Sequence, residues 1–137
     1  MNFGMTVLRV SMGLTMLFGH GVPKLFSYSF IATKFPDPFF IGAPLSLGLV
    51  IFAEFFCSIL LIFGTALRLA LIPLIVTMAT AVFLIHGADP FAKKELALLY
   101  LCGYCSLFVG GGGCFAFHFS RFVPDNLFFN WLFDIPR

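Results

Sequence analysis

LSLGLVIFAEFFCSILLIF, residues 45–63, is a run of 19 residues whose one charged side chain is Glu54. As a helix rising 1.5 Å per residue it reaches about 28 Å, close to the ~30 Å of hydrocarbon in a bilayer. Polar and apolar side chains do not alternate along it, so it does not read as a half-buried strand. A helix built from it is apolar on nearly every face, which suits lipid better than the surface of a soluble domain. The pattern predicts a membrane-spanning helix with one carboxyl group near its middle.

Three further apolar stretches flank this one, at about residues 3–19, 69–85 and 96–117. With no water in the bilayer core to satisfy backbone groups, spans of this length are helices, and a barrel would need eight or more strands. The composition agrees: 61% of the residues are hydrophobic, 18% aromatic and only 10% charged, against about 25% charged in soluble domains. The sequence therefore predicts an all-α membrane protein, a bundle of four transmembrane helices over residues 1–117. Residues 118–137 are predicted to be an interfacial tail, because Phe119, Phe122, Phe128, Phe129, Trp131 and Phe133 alternate with Arg121, Asp125 and Asp134. Residues 1–19 carry a single basic residue, Arg9, and no small-x-small cleavage pattern, so they are read as a retained first span.

The connections are marked by breakers. His20-Gly21-Val22-Pro23-Lys24 closes the first stretch, and Pro36, Pro38 and Pro44 exclude a helix through the whole loop that follows. Gly64 to Arg68 is a tight turn, and His86-Gly87-Ala88-Asp89-Pro90 ends the third stretch. Pro73 is expected to bend the third helix, and Gly110 to Gly113 to loosen the end of the fourth. Four spans put both termini on one side. Arg9, Arg68, Arg121 and Arg137 then share that side, and Lys24, Lys34, Lys93 and Lys94 share the other. The basic count ties, and both termini are assigned to the cytoplasm as a working expectation.

A net charge of +2 without a basic run gives no footprint for nucleic acid, and four cysteines without clustered histidines give no familiar metal site. Chemistry is sought instead in the ionisable groups inside the spans, which cost several kcal/mol unless paired. Glu54 needs a cation, and Arg9 or Lys24 on the first helix is the expected partner. Arg9 to His20 is 11 residues and Arg68 to His86 is 18, about three and five turns of α-helix, so Arg and His share a face in each helix. Leu8-Arg9 with His20-Gly21, and Leu67-Arg68 with His86-Gly87, also form a faint internal repeat. One inward polar seam is predicted from Arg9, His20, Lys24, Glu54, Arg68 and His86, with Lys94 and Glu95 at its mouth. A histidine pair there suits proton shuttling or contact with a quinone carbonyl; the plainer alternatives are a packing ion pair and helix-ending histidines bonded to loop backbone.

Cys102-Gly103-Tyr104-Cys105 has the form of a redox pair. Thioredoxin-like chemistry needs a helix N-terminus and water to lower the thiol pKa, whereas this pair lies about two turns into a predicted span. It reads first as buried small hydrophobes and only second as a redox pair. Glu95 and Cys102 share a face, which would turn the first thiol toward the seam. Cys57 and Cys114 read as packing residues.

Arg9, the His20-Gly21-x-x-Lys24 element, Glu54 in the second span and the Gly64-x-x-x-Arg68 turn resemble the DoxX family. So do His86, the Lys94-Glu95 pair and the glycine-rich end of the last span, so that the resemblance runs from about Val7 to Phe117. It implies a small multi-pass protein of the bacterial inner membrane, of a family named for a subunit of a thiosulfate:quinone oxidoreductase and associated with redox and oxidative-stress systems. One departure is Phe115-Ala116-Phe117-His118, where the family commonly has a Phe-Ser-x-Asp-like element with a hydroxyl and a carboxylate. No residue pattern for flavin, haem or an iron–sulfur cluster is present, so no resident cofactor is predicted. The leading expectation is a redox-associated subunit that offers a quinone pocket or a docking surface to a partner enzyme. A small proton-coupled carrier, for which a homodimer is expected because four short helices enclose little space, or a lipid- or metabolite-binding scaffold is the alternative, followed by a purely structural membrane subunit.

Overall fold

A computed structural model of the chain describes residues 3–113 and Trp131, and among these residues every regular element is helical. α1 covers residues 3–26, α2 is the short Tyr28–Ile31, α3 is Ala43–Phe63, α4 is Leu67–Ile85 and α5 is Phe91–Gly110. The four long helices run alternately up and down and pack in the cyclic order α1, α3, α4, α5. Their shared core includes Met16, Cys57, Leu61, Leu71, Leu74, Tyr104 and Leu107. The outer face carries exposed Phe18, Phe52, Phe56, Phe83 and Leu99, an apolar surface of a kind that soluble proteins avoid. α3 and α4 are each long and apolar enough to cross a membrane.

α3 and α4 fall within two residues of their predicted bounds, because breakers frame both runs. Gly64, at φ 72°, ends α3. Its N–H donates to Leu61 O and that of Thr65 to Leu60 O, the pair of bonds that closes a helix through a left-handed glycine. α4 runs on through Pro73. Two other boundaries differ from the prediction. α1 continues past His20 to Phe26, because a π-helical turn at Leu17–Gly21 lets Val22 N–H reach Leu17 O and places Pro23 at the start of a fresh α segment, where its missing N–H costs little. α5 begins at Phe91, so Lys93, Lys94 and Glu95 lie within it and not before it, and it stops at Gly110, where Gly111 turns to φ 81°.

Further π-helical turns occur at Phe52–Cys57 in α3 and Ala81–Ile85 in α4. Such turns insert a residue and re-aim the side chains beyond them. The predicted tail, Cys114 and the Phe115 to His118 segment lie outside the described residues, except for Trp131, which is helical and sits over Arg68.

Candidate functional site

Glu54 occupies the π-helical turn of α3 and is only 2% exposed. Lys24, in the last turn of α1, reaches it with Nζ 2.6 Å from Oε1 and 2.5 Å from Oε2. Of the two expected partners, Lys24 is the one that pairs with Glu54. The approach depends on Gly21: a Cβ there would stand 2.6 Å from the carbonyl oxygen of Glu54, so no larger residue lets α1 come so close to α3. His20, one residue earlier, lies within the electrostatic reach of both charges. It meets the Tyr100 ring edge-on at 5.8 Å, and Tyr100 in turn stacks on Tyr104.

On the other side of the ion pair lies a cavity of about 310 Å³ between α3, α4 and the loop of residues 32–42. Lys24 and Glu54 are at its inner end, and His86 stands at the close of α4. Ser46, Thr77 and Thr80 add hydroxyls to walls that are otherwise apolar, with Phe39 and Val50 among them. The loop over the cavity is held by Asp37. Its carboxylate accepts from Ser46 Oγ at 2.7 Å, Gly42 N–H at 2.6 Å and Ile41 N–H at 3.2 Å. The bond from Ser46 is the main reason the Asp37 carboxyl is held below its ordinary pKa.

Arg9 and Arg68 do different work at the opposite end of the bundle. Arg9 is 1% exposed and donates from its terminal nitrogen to Leu61 O at 3.3 Å. Arg68 Nε donates to Phe108 O at 2.9 Å, its guanidinium also donates to the Trp131 carbonyl, and it lies 4.7 Å over the Trp131 ring. Leu61 and Phe108 stand in the last turns of α3 and α5, where carbonyls lack the usual i+4 N–H partner and a cation is favoured; Leu61 O takes the Arg9 bond beside the one from Gly64 N–H. Arg9 on α1 therefore caps α3, and Arg68 on α4 caps α5.

The predicted seam thus divides into two clusters. Counting 100° per residue from Arg to His assumed unbroken α-helix, but a π-helical turn intervenes in α1 and again in α4. His20 consequently packs toward α5, whereas His86 lines the cavity and places Nδ1 2.8 Å from Asp89 Oδ2. That contact is the main reason Asp89 is held below its ordinary pKa, and Lys93 Nζ adds a 3.8 Å contact. Lys94 donates to Gly87 O at 2.9 Å and so fixes the α4–α5 loop, while Glu95 is exposed. Cys102 and Cys105 are free thiols on the outer face of α5, neither buried between helices nor turned to the ion pair, and Cys57 is buried as a packing residue. Sequence reasoning missed the cavity and Asp37. Ser46, Val50 and Glu54, spaced by four residues, were a legible stripe; the roof of Phe and Pro side chains carried no signal.

The family model DoxX matches residues 4–87. That stretch contains Arg9, His20, Lys24, Glu54, Arg68 and His86 and stops before Lys94, Glu95 and the glycine-rich end of α5, so the match is shorter than the resemblance read from the residues. No curated protein and no solved structure matches the chain.

Proposed function

Because the chain belongs to the DoxX family, and is accordingly a membrane protein, we propose that it is a four-span subunit that binds a quinone within the bilayer and presents it to a redox partner enzyme. The observation that carries this reading is the apolar cavity with Lys24, Glu54 and His86 on its wall. Its volume of about 310 Å³ is at the lower end of the range of ligand pockets, about 300–1,000 Å³. A quinone needs an apolar slot and donors for its carbonyls. Lys24 supplies an ammonium N–H, and because His86 Nδ1 is given to the Asp89 carboxylate, its ring adds a second donor, from Nε2, only when both ring nitrogens carry protons. The chain's own part is to bind, orient and exclude water. Four spans are supported by the lengths of α1 and α5, which match α3 and α4 in the same bundle. Among the described residues, both arginines cap helices at one end, and the four lysines cluster at the other. In this reading the membrane is the bacterial inner membrane and the arginine end is cytoplasmic.

Extraction of the full-length protein from membranes, followed by analysis of the retained lipids, tests the proposal. Quinone should accompany the wild-type protein and be depleted in Glu54→Gln and in His86→Ala. Equal quinone in all three preparations would count against it. The two short Lys24–Glu54 contacts favour a second reading, in which the pair only locks α1 to α3. Under that reading Glu54→Gln lowers stability and leaves quinone retention unchanged.

A further inference from the structure

The Lys24 ammonium has three N–H bonds. Glu54 Oε1 and Oε2 both lie against it, at 2.6 and 2.5 Å. The carboxylate is therefore neutralised, and what the cavity meets at its inner end is the rest of the ammonium, on a side chain that keeps 26% exposure. The nearby carboxylates are committed elsewhere: Asp37 to Ser46, Gly42 and Ile41, and Asp89 to His86 and Lys93. Glu54 is the one carboxylate among the described residues that line the cavity and it is held by Lys24, so a cationic head would face Lys24 with no unpaired carboxylate on the wall to balance it. A neutral acceptor or an anion would gain a charge-assisted hydrogen bond.

The position of the cavity adds a route. Along α3 it runs from Ser46 to Glu54, about 5 to 17 Å from the start of the helix at 1.5 Å per residue. That is the depth of one leaflet, roughly half of the ~30 Å hydrocarbon layer. Leu49, Val76, Phe39 and Ile41 line the cavity and are 54%, 53%, 55% and 43% exposed, so the cavity opens along an apolar flank of the bundle. In a bilayer that flank lies against acyl chains.

We infer that the cavity is loaded sideways from one leaflet and selects an apolar molecule with a hydrogen-bond-accepting head, neutral or anionic, against cationic amphiphiles. This rests on the membrane-pocket reading above and adds the ligand class and the path. Equilibrium dialysis of the full-length protein in phosphatidylcholine nanodiscs, corrected with empty discs, tests the selectivity. The probes are a decyl-substituted benzoquinone, laurate and dodecyltrimethylammonium. The first two should be retained about tenfold over the cation, and the double variant Lys24→Met/Glu54→Gln should level that preference. Thr77→Phe, which fills the cavity from its wall and leaves the ion pair alone, should lower retention of both favoured probes. Equal retention of the cation, or a preference unchanged in the double variant, overturns the inference. The path is tested with Phe39→Trp, read as the difference from wild type. Lipids brominated on their acyl chains should quench it more strongly than aqueous iodide, and the reverse order overturns lateral loading. Laurate bound with the cation excluded and no quinone held supports this inference and removes the quinone assignment. Quinone bound as well as the cation does the opposite, and no retention of any probe removes both.

Discussion

At Glu54 the cost of desolvating a carboxylate is met by one ammonium rather than by water. Removing one partner of a buried pair leaves the other charge stranded and typically costs about 3–5 kcal/mol, whereas replacing both together costs much less. Lys24→Met is accordingly expected to destabilise the bundle by about 3 kcal/mol, and Lys24→Met/Glu54→Gln by clearly less, as measured by reversible unfolding in bicelles. A double variant at least as unstable as the single one would show that the pair is not the unit it is described to be. Asp37 makes a separate prediction. Its folded pKa is lowered, so its contribution is present above the ordinary carboxyl pKa of about 3.9 and is lost as pH falls through the lower folded value. Proteolytic nicking of residues 32–42 should therefore accelerate below about pH 4, and Asp37→Asn should nick fast at every pH with little pH dependence left. A loop equally resistant at pH 3 and pH 7 would exclude the latch.

Among the elements, α1 and α3 are held together by small residues as well as by charge. At Gly21 a Cβ would meet Glu54 O at 2.6 Å and Phe55 Cα at 2.9 Å, both backbone atoms that cannot turn aside. At Gly103 the atoms met belong to the flexible Met12 side chain. Gly21→Ala should cost about 2 kcal/mol and part α1 from α3, and Gly103→Ala should cost less; thermal unfolding of the two variants decides this, and the opposite ranking would contradict the packing. The α3 and α4 runs were legible because Gly64, the Arg68 turn and the His86-Gly87 break frame them, and a helix apolar on all faces has few other readings. The ends of α1 and α5 were not legible. Lys24 and Lys93 to Glu95 lie inside helices, where charge in a sequence reads as loop, and the π-helical turn that accommodates Pro23 has no sequence mark. The same turns defeated the face-counting that joined Arg9 to His20 and Arg68 to His86.

For the whole molecule, the two ends divide the work: at one, Arg9 and Arg68 cap helices; at the other, Lys24, Glu54 and His86 border a cavity. The sequence marked all five residues. It did not divide them, because the division depends on contacts between Arg9 and Leu61 or Arg68 and Phe108 that are 52 and 40 residues apart. It also hid the cavity, whose roof comes from a loop of ordinary Phe and Pro side chains. A four-span topology predicts that cysteines placed at Lys34 and at Lys93, in a cysteine-free background, react with an impermeant maleimide from the same side of sealed vesicles. Labelling from opposite sides would leave an odd number of crossings between them. The most direct test of the central claim is photolabelling in native membranes with an azido-substituted quinone, followed by peptide mapping. The cavity predicts adducts concentrated in residues 35–50 and 76–86 and lost in Thr77→Phe. Adducts spread over the lipid-facing surface of all the helices, and unchanged in that variant, would contradict it.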